Sequence, residues 1–216
     1  MSTYNIIYNL LIFGSFIVSL IAFIKGYKRF GLLSLLFFIT SAMELMVLYL
    51  IAKEINFTWL YHLYNVLEYP LLCLFLIGSV SSAAITKMIK ISIPLFILTA
   101  LSVSYFYYRF SGFPGLNINM EGFLLSIICV YILFNMDALE TNSIFRNYNF
   151  WICAGILIFF GTTFFYNGIY TKIAIIDGKR ALKLFSTINR PLNIILYSFI
   201  IIGTLCLLIN RKRIIQ

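Results

Sequence analysis

Tyr61, Tyr64, Asn65 and Glu68 recur at i, i+3, i+4 and i+7, and His62 stands on the shoulder of that set beside Asn65. On an α-helix this spacing gathers the four side chains into one polar stripe. A carboxylate, an amide, two phenols and an imidazole within two turns are the groups that bind a small polar ligand or hold and pass a proton. Glu44 is a second carboxylate, sharing a helical face with Thr40 and Ser41, with Ser34 two turns earlier. Toward the C-terminus Asn189, Asn193 and Tyr197 recur at i, i+4 and i+8, with Arg190 next to Pro191. A guanidinium at a helix start suits an anionic group such as a carboxylate or phosphate. The candidate ligand- or proton-binding residues are therefore Glu44, His62, Tyr64, Asn65, Glu68, Arg190, Asn193 and Tyr197.

These groups sit in a chain built for lipid. Of 216 residues, 62% are hydrophobic and 11% charged, with a mean hydropathy of +0.99, far from the roughly half apolar, quarter charged average of soluble domains. A span needs about 20 mostly apolar residues. The sequence offers such stretches at Tyr4–Ile24, Gly31–Ala52, Trp59–Gly78, Ile91–Tyr108, Gly122–Leu139, Asn149–Tyr170 and Pro191–Asn210. The fold class is an all-α, polytopic transmembrane helical bundle of seven spans, a single domain over residues 1–216 with no soluble domain. The fifth stretch is the weakest, because its continuous apolar core is 12 residues before Asn135 and Asp137 follow, but 18 largely apolar residues bounded by Glu121 and Glu140 read as a span; six spans plus a re-entrant fifth segment is the alternative. The first stretch reads as a retained helix, since it lacks basic residues before it and a small-residue cleavage site after it.

Orientation follows from the distribution of Lys and Arg. With seven spans and the N-terminus outside, nine of the 16 basic residues fall in cytoplasmic loops and the C-terminal tail. The exception is the basic sixth loop, where an amphipathic helix over Asp177 to Thr187 is expected to lie on lipid headgroups with Lys179, Arg180 and Lys183 outward. The expected location is the inner (cytoplasmic) membrane of a bacterial cell, with the C-terminus cytoplasmic. The net charge of +9 then fixes topology and meets anionic headgroups, and no nucleic-acid partner is expected.

Polar side chains at membrane depth cost about 2.5–3.5 kcal/mol each when charged, which makes them functional candidates by default. Glu44 and Glu68 stand at similar depth on consecutive spans, so they are expected to face one another inside the bundle, with His62 as partner or relay. The alternative is structural: the same groups clasp helices together at roughly 1 kcal/mol or less each. Cys73, Cys129, Cys153 and Cys206 lie in four different spans without CxxC spacing and read as small buried hydrophobes. One histidine cannot build a three-histidine zinc site, no HExxH, GxSxG or phosphate loop is present, and no lysine stands in the last span for a retinal Schiff base. Neither an enzyme nor a cofactor is expected.

The segments YNVLEYPLL, FWICAGILIFFGTTFF and NRPLNIILY together resemble a pattern in small seven-helix membrane proteins of Bacteroidota-like bacteria. The resemblance implies the helix count and brings no activity, ligand or catalytic residue with it. Two functions follow from the residues. In one, the polar cluster binds a small ligand or protons, as in a sensor or transporter; in the other, the chain is an accessory or effector subunit of toxin or defence type that associates with itself or a partner protein and perturbs the bilayer.

Overall fold

A computed structural model describes residues 3–136, 144–176 and 178–214. It contains seven long helices: α1 (Thr3–Ile24), α2 (Phe30–Ala52), α3 (Thr58–Ile77), α4 (Ala83–Val103), α5 (Gly115–Phe134), α6 (Tyr148–Ile176) and α7 (Gly178–Ile214). Each carries a stretch long and apolar enough to cross a membrane. Hydrocarbon offers no partner for a bare amide, so helices that satisfy their own backbone are the form such a sequence must take. The protein is a seven-helix membrane bundle, and an odd number of spans sends its two ends to opposite faces.

Contacts between helices close a ring. α1 packs on α2, α2 on α3, α3 on α5, α5 on α6, α6 on α7, and α7 returns to α1. α4 stands outside this ring, packed mainly against α3 and only lightly on α5. Close approach within the ring depends on missing side chains. A Cβ at Gly122 of α5 would come within 2.8 Å of Phe160 of α6, and one at Gly155 of α6 within 2.9 Å of the Phe199 Cβ of α7. Without a hydrophobic force to drive helices together in lipid, such van der Waals contact is a main source of cohesion.

The fifth span differs from the expected Gly122–Leu139. It begins seven residues earlier, so Asn117 and Glu121 lie inside it rather than at its mouth, and it ends at Phe134. The segment carrying Asp137 and Glu140 lies outside the described residues. Asn135 closes the helix end with its own side chain, Nδ2 donating to the Tyr131 carbonyl at 2.8 Å. A 20-residue helix of mean hydropathy 1.8 has crossing length, so seven spans hold over the re-entrant alternative.

The sixth loop is also different. α6 runs on to Ile176 and α7 begins at Gly178, so Thr171–Ile176 and Gly178–Arg190 are helical backbone rather than loop. The segment expected to form a separate helix on the headgroups is instead the first three turns of α7, continuous with the last span through Pro191. At 1.5 Å per residue a 37-residue helix reaches about 55 Å, well beyond a hydrocarbon layer of about 30 Å. The side chains of Lys172, Lys179, Arg180 and Lys183, and of the C-terminal Arg211, Lys212 and Arg213, lie outside those described.

The face of the bundle opposite the N-terminus is sealed by one cation. Arg29, between α1 and α2, donates from Nη1 to Ser79 Oγ at 2.9 Å, and Ser79 donates on to Asn149 Oδ1 at 2.7 Å. The same guanidinium lies 4.8 Å from the Tyr148 ring and 5.9 Å from Phe75. Burial among these rings lowers its pKa from the usual arginine value. Gly78 leaves the room: a Cβ there would meet Arg29 Nη1 at 2.9 Å. One side chain thereby ties the start of α2, the end of α3 and the start of α6.

Candidate functional site: an acid-lined cavity inside the helix ring

At the other end the ring encloses a cavity of about 100 Å³. Its walls come from every helix of the ring and none from α4: Tyr8 of α1, Thr40 and Glu44 of α2, Tyr61, Tyr64, Asn65 and Glu68 of α3, Ile118 of α5, Thr163 and Asn167 of α6, and Asn189, Asn193 and Tyr197 of α7. Most of these lie toward the face that carries the N-terminus, with Thr40, Glu68 and Tyr197 close to the middle of their helices. The stripe on α3 forms because 3.6 residues per turn stack its members on the one side of the helix that faces neither lipid nor α4.

The two carboxylates are each gripped by a phenol. Tyr8 donates to Glu44 Oε1 at 2.8 Å, and Tyr64 donates to Glu68 Oε1 at 3.2 Å while its oxygen also lies 2.8 Å from Thr40 Oγ1. Thr40 in turn donates to the Leu36 carbonyl one turn back. These links join α1 to α2 and α2 to α3 at the cavity wall. The Tyr197 ring packs against Tyr8 at 5.9 Å and Phe37 at 5.8 Å, which places α7 against the same corner. Glu44 and Glu68 therefore line one cavity, and each keeps a second carboxylate oxygen with no hydrogen bond among the described residues. Arg190 is close enough for its charge to act on Glu44.

Glu121 is a third carboxylate that sequence reading set aside as a span boundary. It is 0% exposed, and its Oε2 accepts a hydrogen bond from Asn65 Nδ2. The remaining oxygens of this pair, Glu121 Oε1 and Asn65 Oδ1, have no partner. A buried polar atom left unpaired costs roughly 1–3 kcal/mol, so these two oxygens call for a donor: the proton of the Glu121 carboxyl itself or one brought by an occupant. Asn65 also lines the cavity and is itself only 2% exposed. The signal for Glu121 in the sequence was its i+4 spacing from Asn117, readable only once the helix is known to start at Gly115.

His62 sits apart from the cavity. Its Nε2 lies 2.9 Å from the Gly112 carbonyl, which requires a proton on that nitrogen, and its Nδ1 lies 2.7 Å from Ser104 Oγ. Ser104 also accepts from Asn117 Nδ2 at 2.9 Å. The ring packs on Tyr108 and Phe110. Here α4 ends in one π-helical turn, Ser104–Tyr108, followed by Arg109 and Phe110 at φ of 49° and 57°. Left-handed backbone is costly for bulky residues and persists where surroundings over-determine it. His62 supplies that constraint, pinning the α4–α5 turn to α3. Neither ring nitrogen is left to serve Glu68.

On α7 Asn193 bonds its own helix at the Asn189 carbonyl, 2.8 Å away, and Asn167 of α6 donates to Asn119 Oδ1 at 2.8 Å. Arg190 is half-buried at the rim. The four cysteines are free, three of them buried, as small hydrophobes in the core. Among the described residues no three His, Cys, Asp or Glu side chains converge as metal ligands would.

No family model matches the chain, and no curated protein and no solved structure is similar to it.

Proposed function

We propose that this membrane protein binds a small polar solute or protons in the cavity of its helix ring, as a sensor or transporter does, and that it acts without catalysing a reaction. The observation that carries the reading is that Glu44, Glu68 and Asn65 line one cavity, with Asn65 Oδ1 buried and unpaired among the described residues. A purely structural clasp would close its groups on one another, because each unpaired polar atom in hydrocarbon is a net loss. Volume narrows the occupant. Sites for drug-sized ligands measure roughly 300–1,000 Å³, so about 100 Å³ suits a few waters or a solute of a few heavy atoms.

The count of basic residues supports an inner-membrane placement with the N-terminal face outward, which directs the cavity outside and the Arg29 seal toward the cytoplasm. Exposed apolar side chains cover the ring, but lipid accounts for them, and they give no specific support to a membrane-perturbing role.

The test is a thermal-stability screen of the purified protein in lipid nanodiscs against small cationic, anionic and neutral solutes, run beside Glu68→Gln. Binding predicts that at least one solute raises the Tm of the native chain and fails to do so in the variant. Equal responses in both would contradict it. For the effector role, dye-loaded vesicles carrying the protein would leak; intact vesicles argue for the binding role.

A further inference from the structure

Among the described residues the one buried, unpaired polar atom on the cavity wall, Asn65 Oδ1, is an acceptor. The phenols of Tyr8 and Tyr64 already donate to the glutamates. Among the described residues no hydrogen bond reaches the second oxygen of Glu44 or of Glu68, and Asn65 Oδ1 and Glu121 Oε1 are buried without a partner. These are all acceptors. An occupant that completes them brings N–H or O–H donors, and one that answers the carboxylates in a low-dielectric enclosure brings positive charge. Arg190 acts on Glu44, whereas among the described residues Glu68 has Tyr64 as its only partner.

The remainder of the wall has a matching character. Tyr8, Tyr61, Tyr64, Phe159, Phe160 and Tyr197 line the same space, and aromatic faces attract cations, above all desolvated organic ones. A hard metal ion asks instead for six or more oxygen ligands, and among the described residues no three His, Cys, Asp or Glu side chains come together to supply them.

From this arrangement we infer that the cavity's ligand is a small organic cation, a protonated amine of a few heavy atoms, with Glu68 as its counter-charge and Asn65 Oδ1 as a second acceptor. This rests on the cavity being a binding site, and the experiment separates the two claims. The native protein in nanodiscs is titrated with methylammonium chloride, with sodium chloride at the same ionic strength, and with sodium acetate, reading Tm. The expected result is a saturable rise with methylammonium beyond that with sodium, and a weakening of more than about tenfold in Glu68→Gln, the loss typical when a buried charge partner is removed. Stabilisation by acetate alone would overturn the cation assignment and leave a binding cavity organised by Arg190. A methylammonium response unchanged in Glu68→Gln would overturn it as well, and no response to any of the three would overturn both claims. Should Glu68→Gln not fold, Asn65→Ser takes its place and should weaken the methylammonium response by removing the second acceptor, an unchanged response overturning the assignment, and the native comparison of methylammonium with acetate decides by itself.

Discussion

Asn65 on α3 donates its side-chain amide to the carboxyl of Glu121 on α5, across 56 positions of sequence, and both residues are almost wholly shut off from solvent. This contact closes the ring beside the cavity, and Asn65 is the member of the pair that also lines it.

Breaking the pair from one side should cost more than replacing it whole. Asn65→Leu leaves the Glu121 carboxyl buried without its donor, and about 1–3 kcal/mol or more is the expected loss. Asn65→Leu with Glu121→Leu removes the stranded group as well, so the double variant should be more stable than the sum of the two single losses implies. Equilibrium unfolding of the four proteins in mixed micelles measures this; strictly additive losses would show that the two side chains are independent.

His62 should behave as a structural residue. His62→Ala loses two hydrogen bonds and the ring contacts that hold the left-handed turn after Tyr108, and a loss of about 1–3 kcal/mol follows. Solute-induced shifts of Tm should persist on the lowered baseline. A variant of native stability that has lost its solute response would place His62 in the binding site instead.

Two glycines should respond in opposite directions. Gly122→Ala drives a methyl group into Phe160 at 2.8 Å, and overpacking of this kind costs about 1–3 kcal/mol. Gly161→Ala, one position after Phe160 on α6, meets nothing within 4 Å, so the gain in helix propensity of up to about 1 kcal/mol should show undiminished. Thermal unfolding of the pair tests whether α5 and α6 approach as closely as the ring requires.

Arg29→Ala should loosen the sealed face alone. Losing the contacts to Tyr148 and Phe75 and the bond to Ser79 is expected to cost about 1–2 kcal/mol. Backbone hydrogen exchange should quicken at the end of α3 and the start of α6, with the cavity end unchanged. Faster exchange at both ends would mean that the two faces are coupled.

Much of this arrangement was legible because lipid imposes simple rules. Apolar length gave the spans, and the period of 3.6 put Tyr61, Tyr64, Asn65 and Glu68 on one wall before any coordinates. Tyr8 escaped notice because a tyrosine near a span end reads as an interfacial anchor, and only the packing of α1 on α2 reveals that it reaches Glu44. Glu121 was hidden by a boundary: a carboxylate at the edge of an apolar run normally marks its end, and here the helix starts six residues earlier. His62 was misassigned to the acids because helical spacing says which residues share a face, not that a neighbouring turn with two left-handed residues will occupy both ring nitrogens.

The central claim is that the acids face an enclosed space reached from the N-terminal side of the membrane, and labelling at Thr163 tests it most directly. Thr163 lines the cavity and bonds only its own helix, at the Phe160 carbonyl, so Thr163→Cys changes little else. In oriented vesicles a small charged aminoethyl thiosulfonate should modify this cysteine when added on the N-terminal face and leave it untouched from the other, with the native chain as the blank for its four free thiols. Labelling from the C-terminal face alone, or by a lipid-soluble maleimide and never by the aqueous reagent, would contradict the account.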